Sequence, residues 1–425
     1  MLRILILASL LTSLSATAQD LKILSLNFNS ETTKIDRSGE LREARFKAIL
    51  RYVHEKSPDI IFLQEGWNFR KDASVAETLA REIGYDVNYR VGMGLPFFFF
   101  DSNAVLAKKE FKMSEEREIK LPYSAGQIGG GKNSIIVLGR ISYAVGARLQ
   151  LADGKPLYVY TTHLVAKLKE ERKDQLQTLH HEIENQAKDD RIDPSEVRTI
   201  IGGDFNLDYD TSGIHFLKSE GYEDAISVAH PAFQGCSFCG DPAGKHFNPF
   251  TIVAHQIPAQ TNPIDERDDW VFAKGPHHQI SGASFVFDEP YDGVWMSDHF
   301  GIQAKISFDS TPKAPTFDPL YSNAQSSPQG SVVSVTDAEW SSNQLSDFPQ
   351  SEIPVISPRG LVVTNASHQS FGVTIKGPGK ILTDSGIKLN AGESSAFVFT
   401  LPGKYRLELR AHGRKTLEAD LLVAL

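Results

Sequence analysis

Apolar residues in this chain recur in short runs that break off at polar residues. The central run is Ile200-Ile201-Gly202-Gly203-Asp204-Phe205-Asn206-Leu207-Asp208. Thr199 to Ile201 reads as a buried strand. Strand alternation predicts that Asp204 and Asn206 share one side at its C-terminal end. The two glycines allow a bend or a close backbone approach. Leu21 to Asn29 repeats the form, alternating and then ending in polar residues. Asp59 to Leu63 repeats it again and runs into Gln64-Glu65, which predicts a carboxylate at a rim. Leu157 to Thr162 leads to His163, with Asp153-Gly154 marking a hairpin before it. Arg267 to Phe272 begins with carboxylates, and Ser297-Asp298-His299 precedes a strand reaching Phe308.

Between these runs the period lengthens. Phe46, Ile49, Leu50 and Val53 have helical spacing, and Ser57-Pro58 stops that helix. Val75 to Ile83 and Asp208 to Gly221 predict shorter helices. Lys167 to Asn185 predicts a charged helix whose His180-His181 pair is solvated. Leu95 to Ala107 includes Phe97 to Phe100. Core burial on both strand faces is one reading; an aromatic lip entering a lipid interface is the other. Gly129-Gly130-Gly131-Lys132-Asn133 lacks the ending of a phosphate-binding P-loop. His230 to Ala259 reads as a long, turn-rich insertion.

The pattern changes at Asp309. Ser, Pro, Gln and Asn dominate to about Pro349, which predicts a linker over 310–349. Residues 350–425 alternate strands with turns and predict a small β-sandwich module. The polar strand ends all lie in 19–309, so chemistry belongs there. Met1 to Ala18 has Arg3, an apolar run and Ala16-Thr17-Ala18, the form of a secretory signal. The expectation is a secreted or periplasmic protein, with no later stretch able to span a bilayer.

The formal net charge is −9. Residues 350–425 carry nine basic and six acidic side chains, +3 against −9 overall, so the rest holds twelve excess negative charges. That disfavours tight, sequence-independent binding to nucleic acid. It leaves a nuclease open, because a metal supplies positive charge locally. Cys236 and Cys239 are the only cysteines. A local disulfide is the favoured reading; zinc would need further ligands, with His230 and His246 nearby.

Two carboxylates and an amide suit a hard cation such as Mg²⁺, and an Asp beside a His suits a base with its orienting partner. Taken in order, Leu26-Asn27, Leu63-Gln64-Glu65, Thr162-His163-Leu164, Gly203-Asp204-Phe205-Asn206, Asp269-Trp270-Val271-Phe272 and Ser297-Asp298-His299 resemble the motifs of the endonuclease/exonuclease/phosphatase superfamily. The resemblance spans Leu21 to Phe308. It implies a four-layer α/β (α+β) sandwich with two mainly antiparallel sheets between helices. It implies that Glu65 is the principal Mg²⁺ ligand, with Asn27 beside it and Asp298 near the metal; other divalent cations stay open. His299 matches the residue that activates water, and Asp269 its partner. His163 and Asn206 match groups that hold phosphoryl oxygens. Asp204 matches a group that positions water or aids the leaving oxygen. His163 stands where abasic-site enzymes carry Asn, which favours the DNase and sphingomyelinase branches.

The substrate expected from these features is a phosphate ester, with a membrane phospholipid head group, as in bacterial sphingomyelinase C, placed first. An extracellular nuclease or other phosphoesterase is the alternative, and a non-catalytic binding protein on the same fold is the third reading. No obligate protein partner is implied.

Overall fold

Strands that bury both faces need two different sets of neighbours, and the alternation supplies them. The computed structural model describes residues 20–29, 40–66, 74–95, 99–122, 125–128, 135–138, 142–165, 169–231, 235–240, 248, 250–251, 265–308, 331–336, 352–356, 361–377, 387–392, 394–397 and 403–424. The signal-like Met1 to Ala18 and the Gly129 to Asn133 turn lie outside them.

The first half contributes β1 (Asp20–Asn27), α1 (Glu40–Lys56), β2 (Ile60–Gln64), α2 (Val75–Ile83), β3 (Tyr85–Leu95), β4 (Phe99–Lys108), β5 (Ser114–Lys120), a short hairpin of β6 (Ala125–Ile128) and β7 (Ile135–Leu138), β8 (Tyr143–Gln150) and β9 (Pro156–His163). There follow α3 (Lys169–Asp189), β10 (Thr199–Asp204), α4 (Ser212–Ser219), β11 (Glu223–Asp224), α5 (Ala225–Ala229), β12 (Phe238–Cys239), β13 (Asp265–Glu266), β14 (Asp269–Lys274), β15 (His278–Val286) and β16 (Gly301–Phe308).

Two six-stranded sheets result, ordered β15-β16-β1-β2-β4-β3 and β11-β14-β10-β9-β8-β5. Each has one parallel pair, β1 with β2 and β9 with β10, among antiparallel ones. Leu21, Ile23, Ile60 and Phe62 of the first sheet share a core with Leu157, Val159, Ile200 and Val271 of the second. The alternate residues Leu24, Leu26, Ile61 and Leu63 pack with Ile49, Val53 and Leu79 of α1 and α2. Tyr158, Tyr160, Ile201 and Phe272 pack with Leu176, Leu179 and Ile214 of α3 and α4. This is the expected helix–sheet–sheet–helix sandwich, and burial of both strand faces is its main drive.

Local signals agree with it. Ser74 caps α2: its Oγ accepts from the Ala76 and Glu77 amides, and Glu77 accepts from the Ser74 amide. Gly84 ends the helix in the left-handed conformation. The stretch from Leu95 into the phenylalanine run is not one strand, because Leu95 and Phe99–Phe100 sit on antiparallel partners. Phe99 and Phe100 open β4 opposite Leu95 and Gly94 of β3, while Phe97 and Phe98 lie outside the described residues.

The C-terminal module is all-β. Strands β17 (Ser331–Val335), β19 (Leu361–Asn365) and β22 (Ser394–Phe397) form one sheet. Strands β18 (Glu352–Ile356), β20 (Phe371–Lys376), β21 (Ile387–Leu389), β23 (Gly403–Ala411) and β24 (Leu417–Ala424) form the other. Leu361, Val363 and Phe397 of the smaller sheet join Val373, Leu407 and Leu421 of the larger in one core. β17 falls inside the stretch expected to be linker. It pairs in parallel with β19, so residues 331–335 are part of the module's sheet.

Gly203 is the most constrained glycine of the site strand. Its φ is +143°, and a Cβ there would lie 2.1 Å from the Thr162 carbonyl oxygen. Gly203→Ala should therefore destabilise the protein by about 3 kcal/mol or more. Gly154→Ala, at φ +79° with open space around it, should cost only about 1 kcal/mol. Urea denaturation of the two variants checks the difference.

Candidate active site

The strand ends meet because of register. Asp204 pairs with His163 on one side and with Asp269 on the other. Three reactive side chains thus start from one row across β9, β10 and β14. In the other sheet Asn27 pairs with Gln64, which sets Glu65 just beyond the rim. A hydrogen bond from Gln64 Nε2 to Thr161 Oγ1, 2.8 Å, joins the two sheets below the site.

The Asn27 amide nitrogen donates to Glu65 Oε1 at 3.0 Å and to Asp204 Oδ2 at 2.9 Å. His163 Nδ1 lies 3.7 Å from Glu65 Oε1, and its Nε2 lies 3.5 Å from Asp204 Oδ2. One ligand atom each from Glu65, His163 and Asp204 fits within 4.8 Å. His299 Nε2 is 3.9 Å from the same Asp204 oxygen, and its Nδ1 bonds Asp269 Oδ2 at 2.8 Å. Asn206 joins through its backbone. Its N–H donates to Asp204 Oδ1 at 2.9 Å and its Nδ2 donates to the Leu164 carbonyl.

Asn206 reaches this position by a tight turn at φ +50°, not by continued strand alternation. Glu65 is also left-handed, at φ +52°. A Glu in that region is strained, and its neighbour holds it there. Gly66 N–H donates to the Ser102 carbonyl, and Ser102 Oγ donates to the Gly66 carbonyl at 2.6 Å.

The remaining expected residue, Asp298, is buried and accepts from Ser297 Oγ at 3.1 Å. It joins the cluster through its charge on His299. Burial alone would lower the His299 pKa. The carboxylates of Asp269, Asp204 and Asp298 outweigh it and hold the pKa well above the usual histidine value. Burial pushes the Asp268 carboxyl well up, and nearby Asp204 adds to the rise.

Several supporting residues carry no motif signal. Arg45 of α1 is buried and donates to the backbone carbonyls of Phe28, Asn29 and Met296, tying together two site loops. Arg172 of α3 does the same for Val165 and Asn206. Cys236 and Cys239 form a disulfide. Between them, Ser237 Oγ accepts the amides of Asp268 and Asp269 at 3.0 and 2.9 Å. Phe238 lies with its ring centroid 4.6 Å from that of His299. The cysteine pair therefore braces the histidine and its partner. Adjacency to Asp268-Asp269 in space, not in sequence, was the missing clue.

The residues fit a divalent cation. Two carboxylates that approach one imidazole and one another repel unless positive charge joins them. Asn27, expected as a ligand, presents its NH₂ to both carboxylates while its Oδ1 accepts from the Asn29 amide. As placed, it spaces the carboxylates. Glu65 is the ligand whose setting fits best.

A metal-binding carboxylate pair facing a His–Asp dyad at the rim of a two-sheet sandwich defines a metal-dependent phosphoric ester hydrolase. Residues 24–299 match the model of the Endonuclease/Exonuclease/phosphatase family, and the chain belongs to that family. Among solved structures it is similar to D. rerio TDP2 complexed with single strand DNA product, at 19% identity over 68% of this chain and 99% of that one, with a TM-score of 0.48. It is similar to an endonuclease/exonuclease/phosphatase from Bacteroides vulgatus, at 15% identity over 68% of this chain and 100% of that one, with a TM-score of 0.49. The human Nocturnin catalytic domain with bound sulfate anion is similar at 15% identity, over 69% of this chain and 97% of that one, with a TM-score of 0.49. No curated protein matches the sequence.

Ser237→Ala removes the acceptor shared by two buried amides, a loss of about 1–3 kcal/mol for each donor left unsatisfied. Turnover should fall by about tenfold to a hundredfold through misplacement of the dyad. Substrate KM should change little. Steady-state kinetics with a soluble ester, beside a melting curve, check the split.

Proposed function

We propose that the protein hydrolyses phosphodiesters with His299 as the general base and Asp269 as the group that orients it. The single observation behind this reading is the 2.8 Å His299–Asp269 bond, with Nε2 turned toward the Glu65–His163–Asp204 cluster. A divalent cation held by Glu65, with Mg²⁺ first among candidates, would neutralise phosphoryl charge. Asp269 fixes the ring with Nε2 toward the cluster. Positive charge held at Glu65 and Asp204 would offset the carboxylates that raise the His299 pKa, so that the neutral ring can take the proton of the attacking water. His163 and Asn206 are assigned to the phosphoryl oxygens and Asp204 to the water or leaving oxygen.

For the substrate we place a nucleic-acid strand or another soluble phosphate ester ahead of a phospholipid. The family's description names nucleases and phosphatases, and the local support for a lipid surface has weakened. Phe99 and Phe100 enter a paired strand. Sphingomyelin stays as the second reading because the rest of Phe97 to Phe100 and the net charge of −9 favour it. We also propose that the protein works outside the cytoplasm. The signal-like Met1 to Ala18 and the Cys236–Cys239 disulfide support an oxidising address.

Glu65→Gln keeps the volume and removes a charge, so activity at low Mg²⁺ should fall by orders of magnitude while the melting curve survives. Chelation should abolish activity and Mg²⁺ or Mn²⁺ should restore it. A Gln variant with normal activity would remove Glu65 from the role.

His299→Ala should cost on the order of 10²–10⁴ in rate. Asp269→Asn should slow the reaction too, and the double variant should lose less than the product of the single losses. Independent, multiplicative losses would show that the pair does not act as a unit.

The substrate order is read in one parallel assay with Mg²⁺ on single-stranded DNA, plasmid DNA, a simple phosphodiester, and sphingomyelin or phosphatidylcholine liposomes. Cleavage of DNA or the soluble ester with liposomes untouched is the expected outcome. Liposome hydrolysis alone would restore the lipid reading.

A further inference from the structure

The loop closed by Cys236 and Cys239 touches both halves of the dyad, and its backbone is tied on several sides. Ser237 N–H donates to the Glu266 carbonyl at 3.0 Å, and the Ser237 carbonyl accepts from Phe300 N–H at 2.8 Å. Phe238 pairs with Glu266 and Cys239 with Asp265, as β12 against β13. The Cys239 carbonyl accepts from Asn248 N–H at 2.8 Å, and Asn248 Nδ2 donates to the Ser297 carbonyl at 2.9 Å. Both cysteines are buried, in one core with Phe250, Trp295 and Phe300. The loop therefore binds the strand start at Asp269 to the turn that carries His299.

These ties bear on the ring of His299. The torsion that turns an imidazole is broad, and one hydrogen bond tolerates a range of angles before it weakens. His299 Nδ1 is held by Asp269 at 2.8 Å, but Nε2, at 3.9 Å from Asp204 Oδ2, is too far from it for a hydrogen bond. Asp269 alone therefore leaves the reacting nitrogen room to swing. Phe238 removes that room. Its ring centroid is 4.6 Å from that of His299, with 31° between the planes. Rings that close and that nearly parallel lie face against face, as offset-stacked aromatics do. Phe238 itself sits on a strand two residues long, and so short a strand pair is not stable alone. The disulfide spans a separation of three residues. A crosslink adds less to global stability the shorter the loop it closes, so the effect here is local, on the placement of Phe238.

We propose that Phe238 is a positioning residue for the general base, held in place by the oxidised cysteine pair, so that His299 works at full rate only once the disulfide has formed. This rests on the hydrolytic role proposed for His299. The clamp is durable once made. Exchange requires a thiolate to reach a disulfide sulfur, and Cys236 and Cys239 are 1% and 0% exposed. Reduction by a dithiol breaks the S–S bond: two electrons and two protons pass to the sulfurs, and the dithiol closes to a cyclic disulfide. A chain that folds among thiols therefore carries a loose base, and one that folds in an oxidising compartment a fixed one.

The test uses the full chain and a soluble phosphodiester with Mg²⁺. Phe238→Ala should lower kcat about tenfold to a hundredfold with KM little changed, and Phe238→Tyr, which keeps the flat ring, should retain most of the wild-type rate. Cys236→Ser/Cys239→Ser should lower kcat in the same direction with a small fall in Tm. Wild type refolded in dithiothreitol should match that double variant and recover on oxidation, while the double variant ignores the reagent. Adding Phe238→Ala to it should cost little more, because both changes act through one contact. A readout without substrate separates this proposal from the hydrolase reading. The low-field proton resonance of His299 Nδ1–H, identified by its absence in His299→Ala, should be sharp in wild type and broadened in Phe238→Ala. A wild type that cuts no ester, with a resonance that still depends on Phe238, would sink the hydrolase reading and leave the positioning intact. Wild-type kcat in a folded Phe238→Ala overturns the proposal, as does wild-type kcat in Cys236→Ser/Cys239→Ser. If the cysteine variant does not fold, Phe238→Ala decides alone.

Discussion

The buried carboxylate of Asp204 is the constraint on which the active site rests. It is 2% exposed and faces groups from both sheets. One oxygen accepts from Asn27 and faces the rings of His163 and His299; the other accepts from the Asn206 amide. An anion removed from water is costly unless donors surround it. Here the donors are the reactive residues themselves, so solvating Asp204 and assembling the site are one requirement. The register of β10 against β9 and β14 meets it. Gly203 lets β10 press against the Thr162 carbonyl closely enough to keep that register.

Much of this was legible in the chain. Runs such as Ile200 to Asp204 and Asp59 to Glu65 announce a strand and a polar end together, because one strand has both a core part and a rim. Helix α1 follows from apolar spacing, and α2, α3 and α4 fall in the stretches Val75 to Ile83, Lys167 to Asn185 and Asp208 to Gly221 expected to be helical. What local pattern could not reveal were the braces. Arg45 and Arg172 look like ordinary surface cations in sequence. Their roles depend on carbonyls left over at strand ends far away. Ser237 is equally silent until its disulfide loop meets Asp269.

Two misreadings have physical causes. Lys167 to Asn185 is charged overall, which hid His180. Yet Leu176, Leu179, Ile183 and Ala187 mark a buried stripe, and His180 sits in it, four residues after Leu176. Likewise Ser331 to Val335 was submerged in a Ser- and Pro-rich stretch. Composition averages over a window longer than a five-residue strand, and sheet pairing needs only those five. The phenylalanine run illustrates the reverse case. Four aromatic side chains suggest burial or a membrane, but Phe99 and Phe100 already belong to β4, paired antiparallel with Leu95 and Gly94 of β3, so the stretch from Leu95 is not one strand.

The ties that shape the active site span long stretches of chain. Asn27 reaches Asp204 across 177 residues, and Arg45 reaches Met296 across 251. Loop closure on that scale must precede the contacts that reward it, so a chain of this topology folds slowly. The site is complete only when Asn27 and Glu65 of the first sheet meet the His163–Asp204–Asp269 row of the second. The full set of reactive groups is therefore assembled only when the two sheets have closed on each other, so hydrolytic capacity comes with the completed fold and not before it.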